Sequence, residues 1–207
     1  IVHSSNHAQH RVHLQQFFNR LRSCNLKLNL KKCQFGSKEV QYLGFRLTPQ
    51  GIKPGIDKLK AVRDTTPPQT PRQIKQFLGL CNFFRTHVRN FSLISAALNR
   101  LTRKDSEWKG GPLPYKALRA FLQLKSALCS EPVVAYPRRD RPYALIVDAS
   151  AGTQEVDGGL GAILCQMNEQ QNYHVIAYAS RALLKHEINY TPFLLEMLAA
   201  TWAMDHF

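Results

Sequence analysis

The last third of the chain carries the pattern that most constrains its fold, because three apolar runs are followed by one long apolar helix. The first run consists of apolar and β-branched residues, which is typical of a buried strand. Thr191 as N-cap and Pro192 in the first turn open the helix. The predicted strands are residues 143–148, 158–166 and 173–179, the predicted helix is 191–207, and a polar loop is predicted at 149–157. A sheet covered by a helix follows from this order.

Two acidic residues stand out in this part of the sequence. Asp148 ends the first strand, and Glu196 is the only charged residue within residues 192–204. A carboxylate in so apolar a segment is costly unless it stays at the surface or binds a cation. Since Mg²⁺ prefers oxygen ligands, Asp148 and Glu196 could hold it jointly. The alternative is an exposed helix acid and an Asp that forms a turn.

Charge is distributed unevenly along the chain. Residues 1–142 contain 26 Lys and Arg against 7 Asp and Glu, whereas residues 143–207 contain 2 against 7. This asymmetry predicts two regions with different functions. The basic region is expected to bind a polyanion such as nucleic acid. A membrane surface is the competing polyanion, but no 18-residue apolar run accompanies the dispersed basic residues. The third possible explanation of the basic charge is a solvent-exposed surface that binds no ligand.

Several elements are predicted before residue 143. Thr70 and Pro71 open a helix whose apolar stripe continues to Val88, while Gly79 permits a close contact with another helix or with a nucleic-acid backbone. Gly44 marks a bulge or the close approach of another backbone. The other predicted elements are a helix at 7–25, an alternating strand at 26–30, a hairpin of 39–47 with 51–53, short helices at 57–63 and 93–101, a helix at 115–130, and a linker at 138–141.

Cysteine usage and the chain ends predict the cellular setting. The five cysteines have no zinc or redox spacing, which favours reduced structural thiols inside a cell. The sequence begins with Ile1, carries no secretion signal and still reads as helix at Phe207. We therefore expect an internal piece of a longer intracellular protein.

A set of motifs in a fixed order gives the chain its family resemblance. The motifs are residues 1–5, 25–33 with Phe35, 40–45 with 51–52, 70–71 with 77–80 and 83–85, and a final group of 147–150, 159–162, 178–181, Glu187, 189–190 and 195–199. Together they resemble the reverse transcriptase–ribonuclease H polyprotein of long-terminal-repeat retrotransposons of the Ty3/Gypsy kind. Each motif alone is modestly specific, whereas their common order is strong.

The resemblance implies an α+β fold in four segments. These are the end of a polymerase palm with its primer-grip hairpin, a helical thumb, a connection segment, and the first half of a ribonuclease H-like domain with three strands of a mixed sheet and a helix. Their expected boundaries are 1–55, 56–105, 106–142 and 143–207.

The resemblance also implies the site residues and the cofactor. Asp148 and Glu196 would be catalytic metal ligands for two Mg²⁺ or Mn²⁺ ions that promote hydrolysis of the RNA strand of a hybrid. The residues expected to bind nucleic acid are Tyr42, Leu43, Gly44, Phe45, Lys75, Gln76, Gly79, Asn82, Phe83, Arg85 and Arg181.

The implied partners are an RNA/DNA hybrid, a primer-template duplex, and the integrase, protease and gag-type parts of the polyprotein, without a membrane. The implied locations are the cytoplasm, a particle and the nucleus. The polymerase's paired aspartates would precede Ile1 and two further ribonuclease H carboxylates would follow Phe207, so we expect this segment alone to be inactive. A domesticated nucleic-acid-binding module without catalysis is the alternative hypothesis.

Overall fold

A computed structural model describes residues 1–153 and 157–207 and divides the chain into two compact units. The first unit is Ile1–Ser37 and the second is Lys38–Phe207. Helices and strands both contribute, as the predicted α+β class requires. No helix in the described ranges is long and apolar enough to cross a membrane.

The first unit is built on helix α1, His7–Ser23. The Asn6 side chain caps it by accepting a hydrogen bond from the Gln9 backbone N–H at 2.9 Å, so the predicted helix is confirmed. The predicted strand at 26–30 is wrong. Residues 26–29 have no regular structure, and Leu30–Lys32 is a 3₁₀ turn. Because residues 1–37 contain no other strand, an alternating segment has no partner to pair with there.

The second unit starts with a small antiparallel sheet. Its strands are β1, Val40–Tyr42; β2, Phe45–Thr48; and β3, Gly51–Pro54, in the order β1-β2-β3. The hairpin around Pro49 and Gln50 is confirmed. The prediction of one strand over 39–47 is wrong, because a turn separates β1 from β2.

Four helices follow and enclose the main core. They are α2, Ile56–Asp64; α3, Pro71–Asn82; α4, Phe91–Leu101; and α5, Tyr115–Cys129. The predicted start of α3 is confirmed, since the Thr70 side chain accepts from the Gln73 backbone N–H at 3.2 Å. Its predicted extent to Val88 is wrong, because the helix ends at Asn82 and a 3₁₀ turn follows at Arg85–His87. The largest buried core side chains are Ile74, Phe77, Phe84, Leu98, Phe121, Leu124 and Leu128.

A second three-stranded sheet occupies the end of the chain. Its strands are β4, Tyr143–Gly152; β5, Asp157–Met167; and β6, Tyr173–Ala182, in the order β4-β5-β6. Both strand pairings are antiparallel, so the expected mixed sheet is wrong for the described residues. The polar loop predicted at 149–157 is shorter, since β4 extends to Gly152, and 154–156 lie outside the described residues. Helix α6, Pro192–His206, is confirmed with Thr191 as its cap.

Helices cover both faces of this second sheet. Leu145 and Val147 pack in one cluster with Ala203 of α6. On the opposite face, the Ser92 backbone N–H of α4 donates to Ser180 Oγ at 2.9 Å, and Ser92 Oγ donates to the Ser180 carbonyl at 2.6 Å. The sheet is therefore held between α6 and α4.

A short segment before β4 joins the two sheets. Val134 forms an antiparallel bridge with Ile52 of β3, and the Ala135 N–H donates to the Val175 carbonyl of β6 at 2.7 Å. The predicted linker at 138–141 is fixed to β5, because the Arg138 N–H donates to Gln166 Oε1 at 2.8 Å. The amide of Gln166 donates in return to the Arg138 carbonyl at 2.7 Å.

Candidate functional site

An aromatic cluster joins the small sheet to the end of α3. The Phe45 ring, at the start of β2, stacks on the Phe83 ring with centroids 4.9 Å apart. It also meets the Phe84 ring edge-on at 5.6 Å and stacks on the His87 ring at 5.6 Å. Such pairs stabilise beyond the area that they bury, by about 0.5–1.5 kcal/mol each. The hairpin is thereby positioned against α3.

His87 is a buried member of this cluster that the sequence did not single out. Its ring stacks on Phe45 and meets the Phe84 ring edge-on, with centroids 6.2 Å apart. Burial lowers the pKa of His87, and a nearby Ile52 carbonyl only partly opposes this effect. The ring is therefore neutral at pH 7 and acts as an aromatic support. His87 is not part of the predicted apolar stripe, so no sequence pattern pointed to its burial.

The turn between β1 and β2 depends on Gly44. Leu43 and Gly44 both have positive φ, 50° and 83°, as in the two-residue turns that fit the twist of a hairpin. A Cβ on Gly44 would lie 2.8 Å from Lys58 Cε and 3.1 Å from the Phe83 ring. The Gly55 N–H also donates to the Gly44 carbonyl at 2.9 Å, which confirms the predicted close approach of another backbone.

This turn presents two apolar side chains to solvent. Leu43 is 73% exposed and Tyr42 is 46% exposed, while Phe45 beside them is held in the aromatic cluster. Exposed large apolar residues next to a rigid support are typical of a contact surface. The predicted residues 42–45 therefore separate into two that contact the protein interior and two that face outward.

Helix α3 has one buried side and one exposed side. Ile74, Phe77 and Cys81 are buried. The six residues predicted to bind nucleic acid in this region are all exposed: four lie on α3 and two follow it, namely Lys75, Gln76, Gly79 and Asn82, and Phe83 and Arg85. A Cβ on Gly79 would meet nothing within 4 Å, so close helix packing is wrong as the reason for this glycine. The open space next to Gly79 still allows a ligand to approach the helix backbone closely.

Arg181 is engaged within the protein. Its guanidinium donates two hydrogen bonds to the Glu187 carboxylate, at 2.6 and 2.8 Å, and lies 5.7 Å from the Trp202 ring centroid. Arg181 lowers the pKa of the buried Glu187 to about 2, so Glu187 is ionised and the pair is intact at pH 7. Arg181 therefore ties β6 to α6 and has little capacity left for a phosphate.

The structure does not place Asp148 and Glu196 on one face of the sheet. Both side chains are exposed, and neither forms a hydrogen bond or ion pair within the described parts of the chain. Strand side chains alternate, so Asp148 points away from the face where Leu145 and Val147 meet α6. Among the described residues, no three metal-ligating side chains form a group.

Replacing Gly44 tests how the turn is fixed. We expect Gly44→Ala to lower the free energy of unfolding by about 2–4 kcal/mol, because strain at positive φ adds to overpacking against Lys58 and Phe83. Gly111→Ala is the matched control, since Gly111 has φ 96° and open space around its Cβ position. Denaturant unfolding of both variants gives the comparison. Equal losses would show that Gly44 is needed only for its φ.

Two family descriptions match the sequence. "Reverse transcriptase (RNA-dependent DNA polymerase)" matches residues 1–47. "RNase H-like domain found in reverse transcriptase" matches residues 115–207. The first ends within β2, and the second covers α5, the second sheet and α6.

Curated relatives align with the entire chain. It is 34% identical over 214 residues to the retrovirus-related Pol polyprotein from transposon opus of Drosophila melanogaster, covering 21% of that protein. It is 34% identical over 207 residues to the corresponding polyprotein from transposon 297, covering 18% of it. The Tf2-3 transposon polyprotein of Schizosaccharomyces pombe is 28% identical over 206 residues, with 15% covered. The chain thus spans about a fifth or less of these relatives.

Solved structures share the fold. A foamy viral protease-reverse transcriptase dRH in complex with double-stranded DNA has a TM-score of 0.83 and 24% identity, over 99% of this chain and 34% of that one. The foamy viral protease-reverse transcriptase in complex with an RNA/DNA hybrid has a TM-score of 0.81 and 24% identity, over 99% of this chain and 26% of that one.

Proposed function

Because the chain belongs to the reverse transcriptase–ribonuclease H family of retrotransposon Pol polyproteins, we propose that its primer-grip hairpin and helix α3 hold a primer-template duplex. The observation that carries this proposal is the stacking of Phe45 on Phe83 at 4.9 Å. It sets the exposed turn at Tyr42 and Leu43 beside the exposed side of α3. One continuous surface could then follow one duplex.

We propose that the chain is organised in four segments. Residues 1–55 are the end of the palm with the primer grip, and 56–105 are the thumb. Residues 106–142 are the connection, and 143–207 are the start of the ribonuclease H-like domain. The ribonuclease H-like family description matches 115–207, which includes the whole of the last segment but also takes in α5 and most of the proposed connection.

Electrostatics supports a duplex as the ligand. Residues 1–142 carry 26 basic against 7 acidic side chains, and Lys75 and Arg85 project from α3 and the turn that follows it into solvent. Phosphate neutralisation releases counterions, so binding should depend steeply on salt and little on base sequence. The foamy viral proteins of the same fold were solved with double-stranded DNA and with an RNA/DNA hybrid, which is the ligand class proposed here.

The exposed side of α3 suits the minor groove of such a duplex. Gly79 leaves room for a backbone or sugar to approach, and the amides of Gln76 and Asn82 on the same exposed side can both donate and accept hydrogen bonds. In an A-form-like duplex the wide minor groove displays 2′-hydroxyl groups. These residues could therefore sense the RNA strand.

Asp148 and Glu196 are the proposed catalytic carboxylates of ribonuclease H chemistry. Both are hard oxygen donors with no protein partner in the described ranges, and Pro192 and Ala200 leave Glu196 open to solvent. They would hold Mg²⁺ or Mn²⁺, and two bound ions would supply an activated water and stabilise the leaving oxygen at the scissile phosphate.

A second candidate function is nucleic-acid binding without catalysis, as in a domesticated module. The observation that favours it is that Asp148 lies on the sheet face opposite the one packed by α6, which carries Glu196. The duplex surface would be the same in both cases, so only a test of the carboxylates separates them.

We also propose that the chain functions together with the other parts of a polyprotein. As part of a Pol polyprotein, the chain would function with protease, integrase and gag-type proteins, in the cytoplasm, in a particle or in the nucleus. Its relatives are polyproteins of which it covers about a fifth or less.

Duplex binding by the 207-residue chain tests the main proposal. We expect a labelled RNA/DNA hybrid to bind with little sequence preference and with an affinity that falls steeply between about 50 and 200 mM salt. Lys75→Ala and Arg85→Ala should weaken all sequences alike. Lys185→Ala, an equal loss of charge in the acidic part, should have a smaller effect. Absent or salt-independent binding would contradict the proposal.

Cleavage of the RNA strand tests the carboxylates. In the complete Pol protein we expect Asp148→Asn and Glu196→Gln to lower the Mg²⁺-dependent cleavage rate by at least about a hundredfold while hybrid affinity is kept, because each removes a proposed metal ligand. Asp205→Asn, in the last turn of α6, is the matched control. Normal cleavage by Glu196→Gln would make this residue an exposed helix acid and favour the binding module.

A further inference from the structure

We propose that Lys58 is an additional phosphate-contacting residue of the duplex surface and that the Phe83 ring holds its ammonium group in place. This inference rests on the proposed function and deepens it, since it names a residue of the same surface on a third element, α2. The ligand group is a backbone phosphodiester of the bound duplex.

Lys58 lies where the hairpin turn meets the end of α3. Its Nζ is 3.9 Å from the centroid of the Phe83 ring. Its Cε would be only 2.8 Å from a Cβ on Gly44, so the side chain runs directly against the turn. The ammonium group therefore sits between the two elements proposed to contact the duplex.

The charge of Lys58 is not neutralised by the protein. Within the described residues no carboxylate forms an ion pair with it, and its side chain is half-buried. A cation over an aromatic face keeps its charge while its position is restricted. A restricted lysine loses less conformational entropy when it binds, which favours a fixed phosphate contact.

The same geometry changes the role expected for Phe83. Its ring already stacks on Phe45 and carries Lys58, although 40% of the residue remains exposed. A ring with these neighbours has less free face for a nucleotide base. We assign Phe83 as the support for Lys58, so that its contribution to binding passes through the lysine.

The salt dependence of binding tests the phosphate contact. Lys58→Gln in the 207-residue chain should reduce the steepness of log K against log salt concentration by about 0.9, the value for one lost phosphate contact. At 0.1 M salt this corresponds to hybrid binding about eightfold weaker than that of the wild type. Lys58→Arg should restore most of the slope because it keeps the charge. Lys60→Gln is the matched control, since Lys60 is exposed and about 200° around α2 from Lys58.

The outcomes are distinct. A reduced slope for Lys58→Gln alone supports the contact. An unchanged slope, or an equal reduction for Lys60→Gln, overturns it while leaving the proposed function in place. If the wild type does not bind hybrid at any salt concentration, the proposed function itself fails. Circular dichroism melting of each variant separates a loss of folding from a loss of contact, and a folded Lys58→Arg variant without recovery also counts against the inference.

A double-mutant cycle tests the support role of Phe83. Phe83→Leu should weaken binding at least as much as Lys58→Gln, because it also removes the stack on Phe45. Adding Lys58→Gln to Phe83→Leu should weaken binding little further, because residues that act as a unit are not additive. Additive losses would mean that Phe83 contacts the duplex independently, which overturns its assignment as a support.

Discussion

The contact between Phe45 and the Phe83–Phe84 pair is the interaction on which the proposed site depends. Phe45 belongs to the four-residue middle strand of a small three-stranded sheet, and so small a sheet depends on packing against helices for a fixed position. Stacking on Phe83 and edge contact with Phe84 fix it to the helical core. The Gly44 turn, Lys58 and the exposed side of α3 take their relative positions from this contact.

Local sequence signals predicted which helices and strands form this site better than they predicted where each one begins and ends. The Thr70 cap and the hairpin at Pro49 were evident because both depend on side chains next to each other in sequence. The turn at Leu43 and Gly44 was not predicted, because residues 39–47 are rich in strand-forming residues and Gly44 was also compatible with a bulge. The positive φ at both residues shows the turn. Alternation at 26–30 likewise predicts a strand only where a partner strand exists.

For the acidic residues, the sequence likewise indicated the positions but not their arrangement in space. Asp148 and Glu196 could be identified from their unusual apolar settings, but their arrangement depends on which sheet face α6 covers. A Cβ on Gly161 would lie 2.8 Å from Oδ1 of Asn90, the residue before α4, so the start of α4 lies over the sheet face of Asp148. Arg181 was predicted to bind nucleic acid, and its pairing with Glu187 could not be deduced from motif spacing alone.

Hydrogen exchange of the 207-residue chain with and without an RNA/DNA hybrid tests most directly whether the hairpin and α3 form one surface. If they do, exchange of the amides of the β1–β2 turn and of the exposed side of α3 slows together on binding, with the same dependence on hybrid concentration. Protection confined to one of these two elements, or found only in the basic segment 138–141, would contradict a single surface.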